Sequence, residues 1–382
     1  MSLVDLNGIG GGQRLVFWHR NNGTDMDADQ YRNHYRRVLV NGLSQSRIIY
    51  LDTNYWVWLR DAERGTGTAE AVRLLKTLRG LVRSREFICV GQFYSFVELA
   101  KQEETSLRVT ARLVDELTEG VAIAAPDDLM AHDCAEFIDA KLGLQIRSGL
   151  CPWTKVGQIH KHDMSTPMLS QATETSKNVV LKAAVDTLWN ASLQDVMESF
   201  AWDTKTRLNA DIDSAVFVQI EKRKRAQLAR GLSREQVRVN EFYGVVHDRV
   251  RPVVEAQLVK WHAQHGFSAG FEAAVRDVKT VVDAAVAEFN AHTLGRFLPT
   301  VALQTELYTL YETAQNRSKP LTSNDNADWN HAANALAHCN MFLTERHLAH
   351  QLRQELKADE QYGCVVVGSI AEALCTLTSP GG

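Results

Sequence analysis

Four carboxylates lie where this chain could do chemistry. Asp52 directly follows the apolar run 48–51, Glu98 lies just past a second apolar run, and Glu345 follows a third. Asp328 opens a stretch with helical spacing. In open α/β sheets, ligand sites lie just outside the carboxyl ends of the strands. A parallel sheet would therefore bring the four side chains to one rim.

The chemistry of such a cluster is that of a divalent cation. Like charges held close together repel one another unless a cation neutralises them. Hard ions such as Mg²⁺ and Mn²⁺ prefer carboxylate oxygens, and the set contains no His or Cys ligand. The sequence therefore predicts Mg²⁺ or Mn²⁺ rather than zinc at this rim.

Each acid taken alone also has a structural interpretation. Asp52 and Asp328 suit the N-cap of a helix. Glu345 suits a first helical turn, where the helix dipole favours negative charge. Glu98 suits an exposed helix position. Only their shared placement favours a site over four separate structural roles.

The elements that would position these residues come in two blocks. Short apolar runs typical of buried parallel strands occur at 48–52, 87–90, 121–125, 341–344 and 364–367. Helical patterns separate them, and the region between the two blocks is largely helical in pattern. We therefore predict one α/β domain formed by 46–125 and 299–382, with a helical insertion at 126–298 and an extension of unassigned role at 1–45.

These residues resemble a known family. The segment 51–54, the helix 95–100 that carries Glu98, the Asp328 helix and the strand end 342–345 occur in the order of PIN-domain nucleases. The resemblance covers about residues 46–125 and 300–370. It implies a Rossmann-like parallel α/β/α sandwich, a metal-binding acidic cluster and cleavage of RNA, with related nucleases cutting structured DNA.

Position by position, the resemblance assigns the first three family acids to Asp52, Glu98 and Asp328. It assigns the polar residue that supports the first acid to Asn54, and Thr53 is expected to help orient the same carboxylate.

The fourth acidic position departs from the family pattern. The family often has an aspartate just before or just after the last strand of the set. Here Asn340 occupies the earlier place and Glu345 directly follows Thr344. Glu345 is our choice for the fourth metal ligand, and Asp325 in the preceding loop is the alternative.

The insertion contains one concentrated basic stretch, Lys222-Arg223-Lys224-Arg225. The chain has a net charge of −4, so nucleic-acid binding would need a local patch of this kind. We predict that these four residues contact the phosphate backbone. The alternative is a solvated helix face, which would leave the insertion to self-association or a protein partner.

Composition is typical of a globular chain, with 45% hydrophobic and 23% charged residues. The six cysteines form no CxxC pair, and several lie in apolar runs, which predicts reduced core thiols and a cytoplasmic location. Residues 1–20 lack a signal-peptide pattern, and no apolar run is long enough to cross a bilayer. The pair His160 and His162 lacks a matching Cys/His pair and is interpreted as solvated.

The sequence thus predicts a PIN-like, metal-dependent endoribonuclease with a helical insertion. Its rivals are a non-catalytic PIN-like module that binds RNA or acts as a scaffold, and a structure-specific DNA nuclease. The acidic cluster serves RNA and DNA equally, so the sequence does not separate the two substrates.

Overall fold

A computed structural model describes residues 12–23, 25–144, 146, 151–159, 173–199, 214–265, 270–313 and 322–379. Its strands are β1 (Arg47–Leu51), β2 (Phe87–Val90), β3 (Val121–Ile123), β4 (Trp153–Lys155), β5 (Met341–Leu343) and β6 (Val365–Val367). Its first helices are α1 (Gly12–Asn22), α2 (Ala28–Leu43), α3 (Thr53–Glu63), α4 (Ala69–Arg83), α5 (Phe93–Leu99), α6 (Glu104–Thr118) and α7 (Pro126–Leu142).

The later helices are α8 (Glu174–Trp189), α9 (Leu193–Ser199), α10 (Ser214–Ala229), α11 (Arg234–Val245), α12 (Arg251–Gln264) and α13 (Gly270–Asn290). They are followed by α14 (Pro299–Thr313), α15 (Ser323–His338), α16 (Arg346–His350), α17 (Ala358–Tyr362) and α18 (Ile370–Thr378). Two single π-helical turns, Val246–Val250 and Gln351–Glu355, continue α11 and α16.

Four parallel strands form the central sheet in the order β2-β1-β5-β6. β2 follows β1 along the chain and pairs with one side of it. β5 follows the insertion and pairs with the other side of β1. The connections after β1 and β5 therefore diverge in opposite directions. In open α/β sheets this switch point leaves a crevice at the carboxyl ends of the two strands, and ligands bind there.

Helices cover both faces of the sheet because its strands are apolar on both sides. Ile49 and Leu51 pack with α3, α4, α6 and α18, whereas Ile48 and Tyr50 pack with α14, α15 and α16. Residues alternate between the two faces of a strand, so each layer receives every second side chain. The molecule is mostly helical around a small parallel sheet, which confirms the predicted α/β class at that level.

The predicted strand positions are confirmed to within two residues at each end, but β3 lies outside the four-stranded parallel sheet, in a separate two-stranded sheet. The middle region, interpreted as lacking strands, nevertheless contributes β4, which pairs antiparallel with β3. Its other described elements are helices, and α7, α11, α12, α13 and the start of α14 share a separate apolar core. Within the middle region, residues 190–192 separate α8 from α9.

The pair His160 and His162, which the sequence analysis interprets as solvated, lies outside the described residues. In the ranges that the structure does describe, no helix combines the length and apolar character needed to cross a membrane.

Candidate active site at the carboxyl edge of the sheet

Asp52 lies at the switch point between β1 and β5. Its backbone N–H donates to the carbonyl of Leu343 at 3.0 Å, so the strand pairing extends one residue beyond β1. This register brings Asp52 beside Thr344, whose Oγ1 donates to Asp52 Oδ2 at 2.7 Å. The Asp52 side chain is 1% exposed. A carboxylate buried this deeply is costly unless another group compensates its charge.

Three residues at the carboxyl edge lie at helix N-cap positions but do not form the stabilising cap hydrogen bond. Asp52, Gln92 and Glu345 occupy the N-cap positions of α3, α5 and α16, yet in the described structure none of the three side chains caps its helix. Ser369, after β6, does accept a hydrogen bond from Glu372 N. An N-cap bond stabilises a helix by about 1 kcal/mol. The interpretation of Asp52 as a capping side chain is therefore wrong.

Asp328 projects from the second turn of α15 rather than opening the helix. Thr322 is the N-cap, and it forms a reciprocal capping box with Asp325. Burial and the charge of four neighbouring carboxylates together raise the pKa of Asp328 to about 9; the carboxylates are Asp52, Glu345, Glu98 and Asp325. Asp328 is therefore protonated at neutral pH, and the acids chosen from the sequence lie within electrostatic reach of it.

Glu98 is held differently from the other acids. Thr53 Oγ1 donates to Glu98 Oε2, and His331 Nε2 lies 3.1 Å from the same oxygen. Burial alone would raise the pKa of Glu98, but the hydrogen bonds and charge of these partners outweigh it and hold the pKa below its ordinary value. Glu98 is therefore ionised and fixed in place.

A buried polar network supports Glu98 through His331, a residue that the sequence analysis did not select. His331 is fully buried, and its Nδ1 contacts the hydroxyl of Tyr50 and the amide of Gln92. Asn334 Nδ2 donates to Gln92 Oε1 at 2.7 Å. Both ring nitrogens of His331 already have hydrogen-bond partners, so neither is available to bind a metal ion. The metal-binding atoms at this rim would therefore be carboxylate oxygens. The spacing Asp328-x-x-His331 on one helix was the available sequence signal.

Three of the four carboxylates lack an ion pair with a basic side chain in the described structure, although the charge of His347 opposes the rise in the pKa of Glu345. In the described ranges, Asp52, Asp328 and Glu345 form no ion pair with Lys or Arg. Burial raises the pKa of Glu345, and the charge of Asp52 contributes to the rise. No three His, Cys, Asp or Glu side chains in this part of the chain are arranged so that they could hold a metal ion as they stand. The acids are thus neighbours that repel rather than a closed ligand set.

No family model, curated protein or solved structure matches this chain. The resemblance to PIN-domain nucleases therefore depends on the residues and their placement alone.

The supporting residues differ from those expected. Thr53 binds Glu98 instead of Asp52, and Thr344 takes the expected role at Asp52. Asn54 is exposed and makes no hydrogen bond to Asp52 in the described structure, so its assignment as a supporting residue is wrong.

The two other residues considered for the fourth acidic position also have structural roles. Asn340 lies at the opposite edge of the sheet, where its Oδ1 accepts from Ile48 N at 2.7 Å. Asp325 caps α15 as well as contributing to the charge around Asp328. Glu345 lies within electrostatic reach of both Asp52 and Asp328, as expected of the fourth acid.

The basic stretch of α10 is not one uniform surface. Lys224 is 5% exposed, and its Nζ lies 4.1 Å from the ring centroid of Tyr311, so the prediction that it contacts phosphate is wrong. Arg223 forms ion pairs with Glu241 at 3.4 Å and Glu312 at 3.6 Å. Lys222 and Arg225 are exposed, and they remain available to a polyanion.

A pair of substitutions in α10 checks this division. Lys224→Gln is expected to lower the free energy of unfolding by about 2 kcal/mol, because it removes a desolvated cation–π contact. Lys222→Gln, two residues away and exposed, should change it by less than about 0.5 kcal/mol. Urea unfolding of both variants measures the difference. Equal stabilities would contradict the inward placement of Lys224.

Proposed function

We propose that this chain is a PIN-like, metal-dependent endonuclease that acts on RNA. The observation that carries the proposal is a set of carboxylates, Asp52 buried and the others partly buried, that repel one another at the switch point of a parallel sheet. Asp52 and Glu345 leave their helices uncapped there, and Asp328 takes up a proton to avoid a further charge. Side chains whose placement lowers the stability of the folded protein in this way are typical of functional sites.

The donor set fits Mg²⁺ or Mn²⁺. Four carboxylates would hold the ion: Asp52, Glu98, Asp328 and Glu345. When bound, such an ion would activate water and stabilise the departing oxygen of a phosphodiester. The lack of a closed ligand set has a physical reason in this proposal, because repelling carboxylates separate in the absence of a cation.

The chain's own residues would orient these ligands. Thr344 fixes one oxygen of Asp52, and Thr53 with His331 fixes Glu98. Such supporting hydrogen bonds set the direction and basicity of a ligand. Asp328 would give up its proton when the ion binds, since a ligating carboxylate must be ionised.

A second candidate is a non-catalytic PIN-like module that binds RNA or serves as a scaffold. The observation in its favour is that His331 already compensates Glu98, so one of the four acids needs no cation. In this alternative the remaining acids would hold no catalytic metal ion, and the chain would bind nucleic acid without cutting it.

Cleavage of mixed RNA and DNA oligonucleotides with Mn²⁺ separates the candidates. We expect the wild-type protein to cut RNA, and to lose activity in EDTA. Cleavage of DNA alone would favour the DNA nuclease. Binding without cleavage of either substrate, under conditions where Mn²⁺ also binds, would favour the non-catalytic module and overturn the proposed activity.

A further inference from the structure

The insertion brings an arginine without an acidic partner to the sheet domain. Arg249 lies on the π-helical turn Val246–Val250, and its Nη1 donates to Gln304 Oε1 on α14 at 2.6 Å. Within the described ranges it forms no ion pair with an Asp or Glu side chain. A neutral amide orients a guanidinium but leaves its positive charge uncancelled. Single π-helical turns within α-helices are frequent at functional sites.

A chain of amides connects Arg249 to the helix that carries two residues of the candidate site. Gln304 Nε2 donates to Asn330 Oδ1 at 3.2 Å, and Asn330 Nδ2 donates to the carbonyl of Asn326 at 2.8 Å. Gln304 and Asn330 are 5% and 8% exposed, so they form a fixed link. Asn330 directly precedes His331, the partner of Glu98. The position of Arg249 is thus set relative to the acidic edge.

Two tyrosines contact α15, the helix that carries Asp328 and His331. The Tyr308 hydroxyl donates to Asn326 Oδ1 at 3.1 Å. Burial raises the pKa of Tyr308, and the positive charge of Arg249 opposes the rise, whereas Tyr94 adds to it. The ring centroid of Tyr94 lies 6.4 Å from that of His331. Tyr308 therefore lies within electrostatic reach of both Arg249 and Tyr94, and Tyr94 contacts His331, the support of Glu98.

The other arginine near Tyr308 differs from Arg249 in its charge balance. Arg223 is paired with Glu241 and Glu312, so its charge is offset. Arg249 therefore supplies a positive charge at this junction that no ion pair within the described ranges offsets, although the charge of Glu241 also reaches Tyr308. A half-buried, preoriented guanidinium is well matched to a phosphate, because its planar fork of donors fits the phosphate oxygens.

We propose that Arg249 binds a backbone phosphate of the nucleic-acid strand next to the one presented to the acidic edge, with Tyr94 beside the adjoining nucleotide. This inference depends on the proposed function for its substrate class. It assigns the insertion a role in holding the strand, at a different place from the basic stretch of α10.

The test compares Arg249→Gln with Arg251→Gln, an exposed arginine two residues away that loses the same charge. The probe is a fluorescein-labelled single-stranded RNA of about 15 nucleotides, titrated in EDTA so that it is not cut. At low salt Arg249→Gln should raise the dissociation constant about fivefold and reduce the salt slope by about 0.7, the value for one phosphate on a single strand. Arg251→Gln should change the dissociation constant less than about twofold.

Arg249→Lys keeps the charge and should retain the wild-type salt slope, which separates phosphate binding from a loss of folding. Equal slopes for Arg249→Gln and Arg251→Gln, or no binding by the wild-type protein, would overturn the inference. Because binding is measured without cleavage, the two proposals can fail separately. A protein that binds RNA through Arg249 but does not cut it would refute only the nuclease activity.

Discussion

Asp52→Asn is expected to reduce cleavage by about a thousandfold or more while leaving the fold intact. Losing one ligand of a divalent ion removes several kcal/mol of transition-state stabilisation, and each 1.36 kcal/mol is a factor of ten in rate. The amide retains an oxygen to accept the bond from Thr344, so the local packing should persist. Single-turnover cleavage of RNA with saturating Mn²⁺ measures the effect.

The same variant should melt at or above the wild-type temperature in EDTA. Without metal, the buried Asp52 carboxylate lies among repelling neighbours, and an amide relieves that repulsion. Asp127→Asn, at an exposed position in the first turn of α7, is the matched control and should leave cleavage unchanged. A much lower melting temperature for Asp52→Asn would indicate a structural role, and wild-type cleavage would show that the activity resides elsewhere.

Stability of the metal-free protein is expected to depend on pH through Asp328. Burial and nearby negative charge raise its pKa to about 9 from an ordinary value of 3.8. The folded protein therefore keeps a proton that the unfolded chain has lost, and folding takes up that proton between the two pKa values. This contribution to stability is complete below about pH 4 and is lost as pH rises toward 9.

Asp328→Asn should remove this dependence. In EDTA, its stability relative to wild type should increase between pH 5 and pH 9, by at most about 1.4 kcal/mol per pH unit. Glu345, whose pKa is also raised, remains in both proteins, so the difference between them isolates Asp328. Thermal melts at pH 5, 7 and 9 measure it. A constant difference across this range would contradict a protonated Asp328 at neutral pH.

Binding of a divalent ion should show the reciprocal effect. Because Asp328 must lose its proton to ligate, the apparent affinity of the wild-type protein for Mn²⁺ should rise with pH, by up to about tenfold per unit below pH 9. Calorimetry in buffers of different ionisation enthalpy would measure the proton released. Binding that is independent of pH would indicate that Asp328 is not a ligand.

The sequence predicted the strands of the sheet and the residues that end them. Apolar, β-branched runs are a local signal, and the parallel arrangement follows from the helices that alternate with them. Asp52 and Glu345 could be selected because each directly follows such a run. The beginning of α15 was misplaced, because Thr322 and Asp325, which form its capping box, were assigned to the preceding polar loop.

The supporting network could not be predicted, because its members are far apart in the chain. Tyr50 and His331 are separated by 281 positions, so the spacing of His331 from Asp328 could indicate only one member of the network. The basic stretch was misread for a different reason. Ile220, Lys224 and Gln227 are spaced so that they share one face of α10, and all three are buried. The spacing indicates that Lys224 faces the interior, whereas the prediction of four phosphate contacts considered only the charge of the stretch.

The proposed metal site is tested most directly by an anomalous difference map from crystals of the wild-type protein soaked in Mn²⁺. We expect a peak at the carboxyl edge of the sheet, about 2.2 Å from carboxylate oxygens of Asp52 and Asp328. Glu98 or Glu345 should complete the ligand set. Full occupancy of a Mn²⁺ ion elsewhere, with no peak between β1 and β5, would contradict the proposed site.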